Sequence, residues 1–126
     1  MKILLDTSAW IDFFNRTVKG ENIRKLFYDG EVVYTCSLSI AEVSAWCHKN
    51  NEDPKSFVQK INELSTVVNV TDEILIESGK IYVHERKKNE KISMINNIIY
   101  STSRSNGLVL ITLDKDFENL AHVKIL

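Results

Sequence analysis

Four acids follow short apolar runs in this chain, and that pattern constrains its fold more than any other feature. Asp6 closes the run Ile3–Leu5, and Asp114 comes soon after the run Leu108–Ile111. The four acids are Asp6, Glu42, Asp114 and Asp116. Ligands bind open α/β sheets outside the carboxyl ends of the strands. We therefore expect these acids to meet at one edge of such a sheet.

Strand-length apolar runs alternate along the chain with helix-length periodic stretches, which predicts a mostly parallel sheet with helices on both faces. The expected strands lie near residues 2–6, 32–36, 67–70, 108–112 and 123–125. The expected helices lie near residues 8–15, 20–29, 39–50, 54–65, 72–88 and 92–105, with a short one near 115–120. The predicted architecture is a three-layer α/β/α domain with a mostly parallel sheet of four to five strands, spanning residues 1–126.

Bulk composition excludes several classes of protein. The 126 residues suit one domain, and a formal charge of −1 gives no general attraction for nucleic acid, so such binding would need a local basic surface or bridging metals. No apolar stretch approaches the ~20 residues that span a membrane. Cys36 and Cys47 follow no zinc spacing, and no signal peptide precedes them. We expect a cytoplasmic protein with reduced thiols.

Each acid also has an ordinary structural explanation. Asp6 and Asp114 could cap helices, Ser39 and Glu42 fit a capping box, and Asp116 suits a first helical turn. Taken together, however, clustered and shielded carboxylates are costly unless a counter-charge is present. Carboxylate oxygens are the ligands of hard divalent cations, so a metal-dependent phosphodiesterase is the leading hypothesis.

Four segments resemble, in order, the four motifs of the PIN domain family. They are Leu4–Trp10, Ser39–Val43, Ile92–Ile99 and Ile111–Phe117. The chain is also close in size to the VapC-type toxins of that family. The resemblance implies an endoribonuclease that depends on Mg²⁺ or Mn²⁺ and cleaves RNA with a metal-activated water. It further implies a small VapB-like antitoxin as partner, and a homodimer.

The resemblance also assigns roles to individual residues. It makes Asp6, Glu42 and Asp114 metal ligands, and Asp116 a ligand or a support for one. Ser8 and Thr112 become hydroxyls that orient ligands, waters or the scissile phosphate; ordinary capping and turn chemistry is the alternative.

Asn96 departs from the family pattern, which has Asp at that position. The amide keeps a carbonyl oxygen but loses the charge, so one ion could be held by the remaining acids and a second less well. Asn97 is not a substitute, because the next helical position points about 100° away. Asn96 therefore supports an alternative, a PIN-fold protein with a weakened metal site that acts as a binding or assembly module. An unrelated acid-based enzyme of similar architecture ranks last.

Two further surfaces are candidates for partner binding. The basic stretch 84–91 contains Arg86, Lys87 and Lys88, which either end a helix in solvent or grip an RNA backbone. The aromatic residues of the first half suit a core, and any exposed ones would form a groove for an antitoxin segment. The predicted helix near 72–88 is a candidate surface for dimer contact.

Overall fold

The computed structural model describes residues 1–88 and 90–126; Asn89, part of the basic stretch 84–91, lies outside the described residues. Within them, five parallel strands form one sheet in the order β3-β2-β1-β4-β5. The strands are β1 (Lys2–Leu5), β2 (Val32–Cys36), β3 (Thr66–Val68), β4 (Val109–Thr112) and β5 (Val123–Ile125). The helices are α1 (Thr7–Phe14), α2 (Val18–Tyr28), α3 (Ser37–Lys49), α4 (Pro54–Leu64), α5 (Asp72–Lys87) and α6 (Met94–Ser105), with a 3₁₀ helix at Lys115–Phe117.

The central strand β1 is apolar because helices cover both faces of the sheet. Ile3 and Leu5 point to one core, which also holds side chains of α1, α2, α3 and α4. Leu4 points to the other core, together with Ile99 of α6 and Phe117. The predicted three-layer α/β/α fold with a parallel sheet is confirmed. Among residues 1–88 and 90–126, no helix combines the length and apolar character needed to cross a bilayer.

The register of the sheet brings the carboxyl ends of β1 and β4 together. Leu5 lies opposite Ile111, so Asp6 and Thr112 come next on the two strands. The Asp6 amide also donates to the carbonyl of Ile111 over 3.1 Å. The strand order thus creates the edge at which we expected the acids to meet.

Several helix ends follow the local signals in the sequence. Asp53 caps α4 ahead of Pro54, and Gly30 and Gly107 adopt positive φ after α2 and α6. The proposed capping box of Ser39 and Glu42 is wrong. The helix α3 begins at Ser37, directly after β2, and its N-cap residue makes no side-chain capping hydrogen bond. Ser39 therefore lies inside the helix, and the side chains of Ser39 and Glu42 contact Thr7 instead of capping α3.

The approach of α2 to α1 depends on Gly20. A Cβ atom at Gly20 would lie 2.1 Å from the Asp12 carbonyl oxygen, which is backbone and cannot swing aside. Gly79, in the middle of α5, has nothing within 4 Å of the same atom. The two glycines therefore have opposite reasons to be present.

We predict that Gly20→Ala destabilises the protein by about 1–3 kcal/mol, because α2 must shift away from α1. Gly79→Ala is the matched control and should stabilise α5 by up to about 1 kcal/mol, since alanine lowers the entropy of the unfolded chain. Urea denaturation of both variants measures the two changes. Equal stability of Gly20→Ala and the parent protein would contradict the close approach.

Candidate metal site at the sheet edge

Asp6 is held at the end of β1 by three hydrogen bonds. Its Oδ1 accepts from Ser8 Oγ at 2.7 Å and from the Ala9 amide at 2.9 Å, which caps α1. Its Oδ2 accepts from Thr112 Oγ1 at the end of β4. Asp6 is only 3% exposed, so these donors replace most of the water it would otherwise bind. Its capping function and its place in the acidic site are therefore compatible.

The hydroxyls of Ser8 and Thr112 also fix the loop that leads to Asp114. Ser8 Oγ accepts from the Leu113 amide, and Thr112 Oγ1 accepts from the Asp114 amide; the donor–acceptor distance is 3.0 Å in both hydrogen bonds. The two oxygens are 3.3 Å apart. Both residues thus link the carboxylate of Asp6 to the backbone of the next acidic segment.

Burial is the main cause of a raised pKa at Asp6. Desolvation disfavours the charged carboxylate, and the negative charge of Asp114 adds to that effect. The hydrogen bonds from Thr112, Ala9 and Ser8 lower the pKa but offset only part of the shift. In the absence of a cation, ionised Asp6 therefore costs stability.

Glu42 reaches the same edge through Thr7, which follows Asp6. Thr7 Oγ1 donates to Glu42 Oε1 over 2.6 Å and lies 3.1 Å from the buried Ser39 Oγ. From the sequence alone, Thr7 has no predicted role, and Ser39 has only a predicted capping role. The sequence signal for the contacts of Thr7 with Ser39 and Glu42 is weak. It consists only of hydroxyl residues within two motif segments, and the contacting residues are more than thirty positions apart.

Asn96 lies beside Asp114. Its Nδ2 donates to Asp114 Oδ2 over 3.2 Å, while Asp114 Oδ1 accepts from the Asp116 amide. Asp116 itself is exposed, and only its backbone joins this network. Asn97 is fully buried and donates to the Ser93 carbonyl, so it does not replace its neighbour at the site.

The acids of the site have no cationic side chain as partner in the part of the chain that the structure describes. The ion pairs there involve Glu21, Glu31 and Glu85 instead. Lys115, which stands between Asp114 and Asp116 in the sequence, forms none of these pairs. The uncompensated charge and the oxygen-rich donor set fit a hard divalent cation.

The site suits a divalent cation that is bound partly through water molecules. In residues 1–88 and 90–126, no three Asp, Glu, His or Cys side chains are grouped closely enough to hold a metal directly. Mg²⁺ commonly takes one or two carboxylates and keeps several waters. Asp6 and Asp114 meet that requirement, and the Asn96 carbonyl oxygen adds an uncharged donor next to them.

Two of the basic residues at the end of α5 contact side chains of the same helix. The Arg86 guanidinium lies 5.0 Å from the centre of the Tyr82 ring, and Lys88 Nζ is 3.9 Å from Glu85 Oε1. Lys87 is exposed. The RNA-backbone contact expected of these residues stays a prediction.

An aromatic groove of about 460 Å³ opens between α1, α2 and α4. Phe14 and Phe57 meet edge to face at its base, with ring centres 4.6 Å apart, and Tyr28 at its rim is 82% exposed. Basic side chains border the groove, including Arg16 and Lys60. Core packing explains the buried rings such as Trp10, but it does not explain the exposed rim.

Comparison with known proteins places the chain among one family and one group of structures. A family model described as PIN domain matches residues 3–123. No curated protein is similar enough in sequence to match the chain.

Three solved structures illustrate the shared fold. The Rickettsia felis VapBC2 complex bound to a promoter DNA fragment has TM-score 0.79 at 15% identity, covering 100% of this chain and 98% of that one. DNA-bound VapBC from Salmonella typhimurium has TM-score 0.78 at 21% identity, with coverages of 100% and 97%. VapC20 from Mycobacterium tuberculosis, a Sarcin-Ricin loop cleaving toxin, has TM-score 0.72 at 18% identity, with coverages of 94% and 95%.

We predict that Asp6→Asn makes the metal-free protein more stable at neutral pH. A raised folded-state pKa means that protonated Asp6 contributes stability below its ordinary pKa of 3.8, and that this contribution is lost as pH rises through the folded pKa. Asparagine at this position can accept from Ser8 and Ala9 through its carbonyl oxygen and donate through its amide nitrogen to the Thr112 hydroxyl, so it keeps the three contacts without the charge. Urea denaturation with a chelator, from pH 4 to 8, should show a gap that widens with pH.

Asp29→Asn is the control for that measurement, because Asp29 is exposed at the end of α2 and its replacement should change stability by less than about 0.5 kcal/mol. Adding Mn²⁺ should narrow the gap by stabilising only the parent protein. A parent protein that is the more stable of the two at pH 7 would show that the hydrogen bonds outweigh desolvation.

Proposed function

Because this chain belongs to the PIN domain family, we propose that it is a metal-dependent endoribonuclease and the toxin of a toxin–antitoxin pair. The observation that carries the proposal is the sheet edge at which hydroxyls fix Asp6 and the backbone of Asp114, while no cationic side chain of residues 1–88 and 90–126 pairs with either acid. The proposed activity resides in a single domain, since the family match spans residues 3–123. An RNA substrate would place that activity in the cytoplasm.

The residues at this edge divide the proposed reaction among them. Asp6, Glu42 and Asp114 would hold Mg²⁺ or Mn²⁺ directly or through water, with the Asn96 carbonyl as a neutral donor and Asp116 as an outer support. When bound, the ion supplies the positive charge that activates water and stabilises the negative charge developing on the phosphate. Ser8 and Thr112 keep Asp6 in one orientation, so the carboxylate needs no rearrangement when substrate arrives.

Asn96 favours one ion over two. Its amide donates to Asp114 Oδ2, so it neutralises part of that charge without a cation. An aspartate at position 96 would place a second negative charge beside Asp114 and would favour a second ion. The alternative function, a binding or assembly module, rests on the same substitution.

The relatives suggest the substrate class and the partner. The Mycobacterium tuberculosis relative is a toxin that cleaves the Sarcin-Ricin loop, an RNA, and the Rickettsia and Salmonella relatives are VapBC complexes. We infer an RNA substrate and a VapB-like antitoxin for this chain. The PIN match to residues 3–123 supports the same reaction class.

The aromatic groove is our proposed site for the antitoxin. Its rings offer apolar contact area, and Arg16 and Lys60 add positive charge that forms no ion pair in the described part of the chain. The groove therefore suits an amphipathic segment with apolar anchors and acidic neighbours. A second surface, on α5, exposes Ile76 at 75% and Val83 at 54%, and we assign it to the contact between two copies of the chain in a homodimer.

We predict that Asp6→Asn lowers Mn²⁺-dependent cleavage of single-stranded RNA by at least about 100-fold, because a charged ligand is lost. Asn96→Asp should bind Mn²⁺ about tenfold more tightly in calorimetry. Asp29→Asn is the matched control and should match the parent protein.

The three variants separate the two proposed functions. Cleavage by the parent protein that depends on Asp6 and on Mn²⁺ supports a nuclease that works with Asn96 in place. Binding and cleavage by Asn96→Asp alone would instead favour the module. Cleavage that survives Asp6→Asn undiminished would reject the assigned site.

We predict that Lys60→Glu weakens the complex with the proposed VapB-like antitoxin by about tenfold, ~1.4 kcal/mol, because the new carboxylate repels the acidic side chains of the antitoxin segment. Lys124→Glu on β5 carries the same charge change away from the groove and should have no effect. Surface plasmon resonance gives the affinities, and light scattering gives the copy number. Equal affinities for both variants would place the partner elsewhere.

A further inference from the structure

Among residues 1–88 and 90–126, the Thr7 hydroxyl links the segment of Asp6 to the side chain of Glu42. It follows Asp6 directly and donates to Glu42 Oε1 over 2.6 Å. We propose that Thr7 is a positioning residue that sets the place of the Glu42 carboxylate relative to Asp6. The inference rests on the proposed function, because it concerns how that same site is assembled.

Glu42 has no helix-capping role that would explain its orientation. The helix α3 starts at Ser37 and lacks a side-chain cap, so Glu42 lies beyond its first turn. Among the side-chain hydrogen bonds of residues 1–88 and 90–126, the bond from Thr7 is the one that reaches its carboxylate. A glutamate side chain has several freely rotating torsions, so this contact decides which of its conformations is populated.

Thr7 is well placed to act as a rigid support. It is the first residue of α1, and its β-branched side chain has few rotamers in a helix. The preceding residue, Asp6, is fixed to the Ala9 amide and to Thr112. The position of the Thr7 hydroxyl is therefore tied to the same elements that hold Asp6.

Ser39 helps to fix the direction of the Thr7 hydroxyl. A hydroxyl carries a single proton, and the shorter contact to a charged acceptor is the stronger one. The Glu42 oxygen at 2.6 Å is closer than the fully buried Ser39 oxygen at 3.1 Å. Ser39 thus lines the other side of Thr7 and limits the room in which its side chain can turn.

The test compares Thr7→Val, which keeps the shape but removes the hydroxyl, with Thr7→Ser, which keeps the hydroxyl. Thr66→Val, at an exposed threonine of β3, is the matched control. Calorimetric titration with Mn²⁺ should show at least about tenfold weaker binding for Thr7→Val. Thr7→Ser should stay within about threefold of the parent protein, and Thr66→Val should equal it.

A cycle with Glu42→Gln shows whether Thr7 acts through Glu42. In the Glu42→Gln background, Thr7→Val should have little further effect on Mn²⁺ affinity, because the charged group it positions is gone. An equal loss in both backgrounds, or a loss in Thr7→Ser as large as in Thr7→Val, would overturn the proposal.

A cycle of Thr7→Val with Glu42→Ala, measured on unfolding in a chelator, separates this inference from the proposed function, because alanine, unlike glutamine, cannot accept the hydrogen bond from Thr7. If the parent protein binds no Mn²⁺, the nuclease proposal fails, but the contact between Thr7 and Glu42 is still measurable. A coupling of about fivefold or more in the unfolding equilibrium constant supports the positioning role. Additive effects of the two substitutions would overturn it.

Discussion

The buried carboxylate of Asp6 holds together the elements that build the acidic edge of the sheet. It ends the central strand, caps α1 and accepts a hydrogen bond from the last residue of β4, so one side chain joins three elements. Removing a carboxylate from water costs several kcal/mol, and the raised pKa of Asp6 shows that its hydrogen bonds do not offset all of it. The fold therefore keeps a negative charge where we expect an amide of the same shape to be more stable.

The parts of this arrangement that the sequence predicted are those with local signals. Apolar runs ending in acids gave the strand ends, and residues such as Gly30 and Pro54 marked turns and caps that depend on their own backbone. Asn96 lies beside Asp114, whereas Asn97, rotated by about 100° on the same helix, is buried and donates to the Ser93 carbonyl. The inferences about strand ends, turns and caps needed only neighbours within a few residues.

The parts that escaped prediction depend on contacts between distant segments. Ser39 and Glu42 have the spacing of a capping box, but α3 begins at Ser37, so Ser39 was available to contact Thr7 instead. Thr7 gave no signal of its own, because a threonine beside an aspartate is equally consistent with an N-terminal helical turn. Only the sheet order, which sets β1 beside β2, brings the two segments within hydrogen-bond distance.

Helix α1 connects the proposed catalytic edge to the proposed partner groove. Its first residues support Asp6 and Glu42, while Phe13 and Phe14 near its other end line the groove. Eight helical residues span about 12 Å, a distance that about four extended residues cover. A bound segment of modest length could therefore occupy the groove and reach the acidic edge, which would let one partner control access to the site.

The hydrogen bonds around Asp6 also bear on the meaning of Asn96. We expect a chain used only as a binding module to be more stable with an amide at position 6 as well, yet a buried carboxylate stands there and accepts hydrogen bonds from Ser8 and Thr112. This asymmetry favours a site that still uses its central carboxylate and gives up one outer ligand.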